Sequence, residues 1–306
     1  MKKVLITGGA GTVGSSFINE YYTDYKFYNV SRNEMQIAKL KQNFPKVENF
    51  LADICDLDLM INIFEKVQPD IVIHAAAMKH INLAEENPAK AVEVNIVGSL
   101  NIIKASVRAE VPLTVGISTD KACNPDSVYG YTKSMMESMF KQYHNEKTRF
   151  VCTRFANVAN SNGSVIPFWL SEAEKGNALK LTDTNMNRLM FSKKESAKLI
   201  QKAIDYGTSF KPKSFIICKI MKNVNLLKLA EVISDKEVEI IGKRPGEKLN
   251  ETLISKRELP FTFISGDYVY IIPKQQKLQN TLTKEHSSAN AEWMSEQEMK
   301  DLIWEK

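Results

Sequence analysis

The chain has 306 residues, room for one large domain or two smaller ones; 43% are hydrophobic and 25% charged, which excludes disordered and fibrous classes. A net charge of +5, from 41 basic and 36 acidic residues, weakly favours anionic ligands and falls short of the basic face that nucleic-acid binding requires. No apolar run approaches a membrane span, and Met1-Lys2-Lys3 precedes too short an apolar core for a signal peptide, so a cytoplasmic protein is expected.

Val4-Leu5-Ile6 reads as a short buried strand, followed by Thr7-Gly8-Gly9-Ala10-Gly11-Thr12-Val13-Gly14 and a helix through Phe17 and Ile18. Gly8, Gly11 and Gly14 make a GxxGxxG turn between strand and helix. Glycines there let backbone N–H groups approach a pyrophosphate at the helix N-terminus. Gly8, Gly11, Thr12, Val13 and Gly14 are therefore candidate dinucleotide ligands. A second strand, Phe27 to Val30, ends in Ser31-Arg32. Strands of this kind usually offer a carboxylate to the ribose 2′-hydroxyl of NAD. A carboxylate would repel the 2′-phosphate of NADP, whereas a charge-assisted arginine bond contributes roughly 1.5–3 kcal/mol. NADP is the expected cofactor, with NAD as the alternative.

A third strand near Val47 to Leu51 leads to Asp53 and Ile54. Asp53 either hydrogen-bonds the adenine amino group or caps the next helix, Leu57 to Val67. The fourth strand ends at His74, expected to pack rather than ionise. Ala75-Ala76-Ala77 follow, small enough for backbone to pass close to the cofactor ribose. Lys79 opens the next loop, towards a helix spanning roughly Pro88 to Arg108. Asn95 sits among apolar neighbours inside that helix. A buried Asn needs partners, so it is expected at the cofactor side, bracing the loop or the catalytic strand.

A fifth strand, Leu113 to Ile117, delivers Ser118-Thr119-Asp120-Lys121-Ala122 and then Tyr129 and Lys133. Four residues apart on a helix, Tyr129 and Lys133 share one face. A lysine ammonium beneath a phenol favours the phenolate and makes tyrosine a base. Asp120-Lys121 is a second acid–base pair that simple hydride transfer would not need. Thr119, Asp120, Lys121, Tyr129 and Lys133 are the candidate catalytic set. The alternation of strands and helices predicts an α/β fold with a doubly wound, Rossmann-type parallel sheet, its ligand at the carboxyl ends of the strands.

A sixth strand, Arg149 to Thr153, runs into Arg154-Phe155-Ala156-Asn157-Val158, where backbone can face the nicotinamide. The pattern then loosens. Helices are expected over Val165 to Lys175, Glu195 to Tyr206 and Leu226 to Ile233, and strands at Leu179 to Asp183, Ser214 to Cys218 and Glu237 to Ile241. The tail ends in a helix capped by Ser295 with Glu298. This places a dinucleotide-binding domain over residues 1–158, with 187–211 returning to it, and a smaller α/β substrate lobe over 159–186 and 212–306. Cys55, Cys123, Cys152 and Cys218 are widely spaced without a CxxC, so reduced packing thiols and no metal are expected.

The GxxGxxG turn and the YxxxK pair resemble those of the extended short-chain dehydrogenase/reductases. Within that group the chain is similar to the UDP-N-acetylglucosamine 4,6-dehydratases of bacterial polysaccharide and flagellin-sugar pathways. The likeness rests on residues 74–80 (HAAAMKH), 118–122 (STDKA), 163–167 (GSVIP), 181–183 (LTD) and 244–249 (RPGEKL). Two departures stand out: Asn250 where the family often has His, and Phe155-Ala156 where it favours Tyr-Gly. The resemblance implies that Tyr129, supported by Lys133, deprotonates a C4 hydroxyl while hydride passes to NADP. Lys121 then takes the acidified C5 proton, Asp120 protonates the departing C6 hydroxyl, and Thr119 holds the C4 oxygen. It implies a UDP-sugar substrate, with Arg244 on the diphosphate, Glu247 on the ribose, and Lys79, Asn157 and Arg188 completing the set. The family holds both C5-inverting and C5-retaining members, some retaining ones with Met at the Tyr position, so the intact Tyr129 favours inversion; the resemblance also implies a homo-oligomer. UDP-sugar 4-epimerases share the hydride step but usually carry small residues where this chain has Asp120-Lys121. A catalytically silent NADP-binding regulator generally lacks the Tyr or the Lys, and both are present.

Overall fold

Six strands define the N-terminal half of the protein, seen in a computed structural model that describes residues 1–209, 214–273 and 280–304. They are β1 (Lys2–Thr7), β2 (Tyr25–Ser31), β3 (Glu48–Leu51), β4 (Ile71–His74), β5 (Leu113–Thr119) and β6 (Arg149–Phe155). All run parallel, in the order β3-β2-β1-β4-β5-β6. Every residue of β4 and β5 is buried, as expected for central strands covered on both faces.

Between them lie α1 (Thr12–Glu20), α2 (Glu34–Asn43), α3 (Leu57–Val67), α4 (Ile81–Glu86), α5 (Pro88–Val92), α6 (Gly98–Arg108) and α7 (Val128–Tyr143). Phe17 and Ile18 of α1 and Leu40 of α2 pack on one face of the sheet, Phe64 of α3 and Ile102 of α6 on the other. The single helix expected over 88–108 is interrupted by a π-helical turn, Glu93–Val97, that carries Asn95. Such turns are frequent at functional sites.

The smaller lobe contains β7 (Asn157–Val158), α8 (Val165–Glu174), β8 (Lys180–Leu181) and β9 (Asn187–Phe191). Next, α9 (Lys193–Ser209) returns to the main sheet and joins the α1 face through Leu199, Ile200 and Ala203. Then β10 (Ile216–Lys219) pairs parallel with β6, so the assignment of residues 212–306 to the substrate lobe is corrected. The proposed boundary at 211/212 itself lies outside the described residues. After β11 (Asn223–Asn225), α10 (Leu226–Ile233), β12 (Glu239–Ile240) and β13 (Thr252–Ile254), the hairpin of β14 (Thr262–Ser265) and β15 (Tyr268–Ile271) adds two antiparallel strands beside β10. These additions make nine strands in this sheet among the described residues. The reason is burial: Ile217, Cys218 and Val269 are fully enclosed, as strands covered on both faces are. The lobe's own core gathers Trp169, Leu181, Met190 and Leu229, closed by Leu302 and Ile303 of α11 (Glu296–Ile303). β16 (His286–Ser287) pairs with β13, and the Ser295–Glu298 capping box forms as expected. No helix among the described residues is long and apolar enough to cross a membrane.

Candidate active site

The carboxyl ends of β1, β2, β4, β5 and β6 open into one cleft of about 940 Å³, roofed by the smaller lobe. At its floor, Gly8 adopts φ of +74°, and a Cβ there would stand 2.8 Å from the Ala76 nitrogen. Only glycine fits this close approach. The turn and the Ala75-Ala76-Ala77 loop thus form a cradle that a side chain would fill, at the N-terminus of α1, which fits a dinucleotide pyrophosphate. Gly11, Thr12, Val13 and Gly14 line the same floor.

A chain of hydrogen bonds holds the alanine loop. Ala76 N–H donates to Thr7 Oγ1 at 3.4 Å, and Thr7 meets His74 Nδ1 at 2.7 Å. His74 Nε2 meets Ser99 Oγ at 2.9 Å, and that hydroxyl donates to the Asn95 carbonyl at 2.6 Å. Because Ser99 spends its proton on Asn95, His74 must carry its own on Nε2. Burial drives the imidazole down to about 3, so it is a neutral packing residue as expected. Asn95 Oδ1 accepts from Met78 N–H at 2.8 Å, while Nδ2 donates to Met78 O and Thr132 Oγ1, both at 3.0 Å. Its amide is consumed by the loop and by α7. Asn95, also a candidate for the cofactor side, thus braces the Met78 loop, one of the two placements expected of it.

At the far end, Ser31, Arg32, Asp53 and Ile54 line the cleft together, with Gln36 and Lys90, which sequence reasoning missed. Arg32 faces Asp53 across 3.6 Å. Burial pushes the Asp53 carboxyl up, but the Cys55 N–H and the Arg32 charge outweigh it and hold it below its ordinary range. The alternative of Asp53 as a helix cap is settled against, since Asp56 caps α3 by accepting from Leu59 N–H at 3.0 Å.

The catalytic candidates converge where β5 meets α7. Asp120–Ala122 forms a single 3₁₀ turn capped by Thr119. Gly130 in α7 lets the helix touch that turn, since a Cβ there would meet the Lys121 carbonyl at 2.5 Å. Thr119, Lys121, Tyr129 and Lys133 line the cleft, with Asp120 enclosed behind Lys121. Asp120 Oδ1 accepts from Thr119 Oγ1 at 2.8 Å, Lys121 N–H at 2.9 Å and Lys121 Nζ at 3.0 Å. Its Oδ2 is buried with no hydrogen-bond partner among the described residues. Burial works against the Lys121 charge, but Asp120 and Glu251 outweigh it and hold the ammonium above its usual range.

Tyr129 and Lys133 lie one turn apart on α7, and both line the cleft. Burial raises the Tyr129 phenol to about 12, and the groups that pull it down are Lys121 and a Thr119 hydrogen bond. Lys133 is driven down to about 8 by burial, and its Nζ donates to Met136 Sδ at 3.2 Å. Lys121 thus adds its charge to the pull on the phenol, alongside the Lys133 that the helix spacing supplies. Spacing along a helix identified the pair but could not reveal a cation arriving from another element.

The roof brings the substrate candidates to the same space. Lys79 Nζ donates to the Asn162 carbonyl at 2.7 Å, tying floor to roof, and Thr12 Oγ1 accepts from Asn162 N–H at 2.9 Å. Asn157 Oδ1 and Ser164 Oγ are buried without partners among the described residues, and both residues line the cleft. Ser164 was not singled out from sequence. Arg188, Arg244 and Glu247 also line the cleft. Arg188 is buried and donates to the Leu249 carbonyl at 3.2 Å, whereas Arg244 and Glu247 face each other at 3.9 Å near the mouth. Asn250, at the family's usual His position, accepts from Asn187 Nδ2 at 3.0 Å, a structural bond beside the site. Sequence reasoning also missed Glu251, whose Oε1 lies 3.7 Å from Lys121 Nζ. No local spacing links positions 130 residues apart in the chain.

Residues 4–272 match the polysaccharide biosynthesis protein family. An inverting UDP-N-acetylglucosamine 4,6-dehydratase of Campylobacter jejuni is 34% identical, the alignment covering 99% of this chain and 97% of that one. A UDP-glucose 4-epimerase of Rickettsia bellii is 28% identical over 99% and 95% of the two chains. Among solved structures, Pen from Bacillus thuringiensis superposes with a TM-score of 0.91 at 29% identity, covering 100% of this chain and 98% of that one. The chain belongs to the polysaccharide biosynthesis protein family, within the extended short-chain dehydrogenase/reductases of the UDP-N-acetylglucosamine 4,6-dehydratase type.

Proposed function

We propose that the protein is a lyase that dehydrates a UDP-N-acetyl-hexosamine, UDP-GlcNAc in the first instance, to its 4-keto-6-deoxy form with inversion at C5. The observation that carries this reading is the enclosed Asp120–Lys121 pair beside Tyr129, a second acid–base system that a 4-epimerase has no use for. NADP, held by the glycine turn and by Ser31 and Arg32, would accept hydride from C4 and return it to C6.

The chain's own groups do the rest. Tyr129 takes the C4 hydroxyl proton, with Lys121 drawing the phenol towards ionisation. Thr119 holds the C4 oxygen. Once C4 is a ketone, the C5 proton is acidic enough for a lysine amine. Lys121 gains that amine by passing its proton along the 3.0 Å bond to Asp120. It then takes the C5 proton, and Asp120 supplies the proton with which the C6 hydroxyl leaves as water. A proton returned to C5 completes the product, UDP-2-acetamido-2,6-dideoxy-β-L-arabino-hexos-4-ulose. Redox balances without an external reductant. Arg244 and Glu247 would part to receive the diphosphate and ribose, with Lys79, Asn157 and Arg188 deeper in the cleft.

Proton NMR of purified protein with UDP-GlcNAc in deuterium oxide tests the reading. A new C6 methyl signal and solvent deuterium at C5 are expected, and the coupling between H4 of a reduced product and H5 assigns the C5 configuration. Accumulation of a C4 epimer alone would overturn it.

A further inference from the structure

One buried carboxylate beside the reacting groups has no part in the steps above. Glu251 immediately precedes β13, its side chain is 4% exposed, and its Oε1 lies 3.7 Å from Lys121 Nζ. Its backbone is clamped from both sides: its N–H donates to Ser288 Oγ and its carbonyl accepts from Ser288 N–H, both at 2.9 Å. The carboxylate therefore arrives on a fixed scaffold from a different part of the chain. Lys121 sits between two carboxylates, Asp120 at 3.0 Å and Glu251 at 3.7 Å.

We propose that Glu251 is a positioning residue for the Lys121 amine, a second carboxylate anchor that holds it in place and sets its basicity for removal of the C5 proton. The inference rests on the dehydratase reading. An α-proton of a ketone is a weak acid, so a more basic amine lowers the barrier to removing it. A single carboxylate that must also act as the acid cannot hold the lysine throughout, because it surrenders its charge when it takes the lysine's proton. Glu251 remains as the anchor at that moment. The charged groups around the cluster are Asp120 and Lys121 on the 3₁₀ turn, Arg188 on β9 and Lys248 on Glu251's own segment, with Tyr129 of α7 facing Lys121. Burial first, and then Asp120, raise the Glu251 carboxyl, while Lys121, Arg188 and Lys248 oppose them.

The test compares wild type with Glu251→Gln, which keeps shape and removes charge, and Glu251→Asp, which keeps charge. Turnover of UDP-GlcNAc is followed by NMR across pH, and NADPH binding by its fluorescence. In parallel, the Lys121 Cε resonance of ¹³C-lysine-labelled protein, assigned by its absence in Lys121→Met, is titrated. For Glu251→Gln, the acid limb of the kcat profile and the Lys121 titration should both move down by roughly one unit or more. The kcat plateau should fall about tenfold or more, with NADPH binding and KM little changed. Glu251→Asp should keep the limb near its wild-type position. An unmoved Lys121 titration overturns the inference, and so does a joint loss of NADPH binding and turnover that Asp fails to rescue. A wild-type protein that makes no 4-keto-6-deoxy sugar would sink the dehydratase reading alone, because the Lys121 titration is read without turnover.

Discussion

Two buried cations in this protein each sit between two carboxylates, and they are built for opposite ends. Arg154, on β6, is held by Glu137 of α7 at 2.7 Å and by Glu258 at 3.0 Å. It also donates to the Leu253 carbonyl at 2.9 Å, and Ser118 Oγ donates to Glu137 at 2.6 Å. Burial would raise Glu258, but Arg154 outweighs it and keeps the carboxyl below its usual range. Lys121, between Asp120 and Glu251, is less complete, since Asp120 Oδ2 has no partner among the described residues and Lys121 itself faces the cleft. The residues that receive the two cations are near neighbours, Glu251 and Leu253 flanking one end of β13. A guanidinium offers five donors in a fixed plane and keeps its proton. An ammonium can give its proton up, which makes Lys121 usable as a base and Arg154 a brace.

The sharpest way to break this comparison is to replace each cation with an apolar side chain of similar length. Lys121→Met should lower dehydration by roughly 10²- to 10⁴-fold, the usual worth of a general base, while NADPH binding persists. Unchanged turnover in the NMR assay would remove Lys121 from the chemistry. Arg154→Met should do the reverse. It strands Glu137 and Glu258 as buried, unpaired acids, and loss of one partner of such a cluster costs about 3–5 kcal/mol. Urea denaturation measures that loss, and a midpoint within error of wild type would show the Arg154 cluster to be dispensable.

The contrast also explains what the sequence could disclose. Strand and helix periodicity finds β1 to β6 along the chain and their parallel sheet, and the glycine turn, Ser31-Arg32, Ala75-Ala76-Ala77 and Tyr129 all line one cleft, because each lies at a strand end or on a helix face set by local rules. Long-range pairings stayed hidden. Glu251 beside Lys121, the Lys121 charge acting on the Tyr129 phenol, and β10 with its hairpin joining the main sheet all depend on tertiary placement. Asn95 shows the intermediate case: its burial and need for partners were readable, but the Met78 backbone that takes its amide was not.

His74 extends the comparison to a buried titratable group with hydrogen bonds and no counter-charge. Its pKa of about 3 in the folded protein lies below the ordinary 6.5. Between those values the unfolded chain binds more protons, so stability rises with pH across that window and is lost as pH falls through it. At pH 4.5, about two units below the unfolded value, the loss should reach roughly 2–3 kcal/mol. Urea midpoints of wild type and His74→Gln over pH 4.5–7.5 check this: the variant should lose the part of the acid slope that His74 contributes. Parallel curves would mean that His74 charges without cost, contrary to its enclosure.

Arg32 and Asp53 supply the mildest case, a cation and a carboxylate that remain largely in solvent, with side chains 57% and 39% exposed. An exposed pair contributes less than about 1 kcal/mol to stability, so Arg32→Ala should leave the urea midpoint nearly unchanged. Its effect should fall on the cofactor. A charge-assisted bond to a 2′-phosphate is worth roughly 1.5–3 kcal/mol, which predicts at least about a tenfold drop in preference for NADPH over NADH. Competitive fluorescence titration with the two coenzymes measures the ratio directly. A ratio that does not change would leave Arg32 only its partner Asp53, and would reassign 2′-phosphate recognition to Ser31 or Lys90, which line the same end of the cleft.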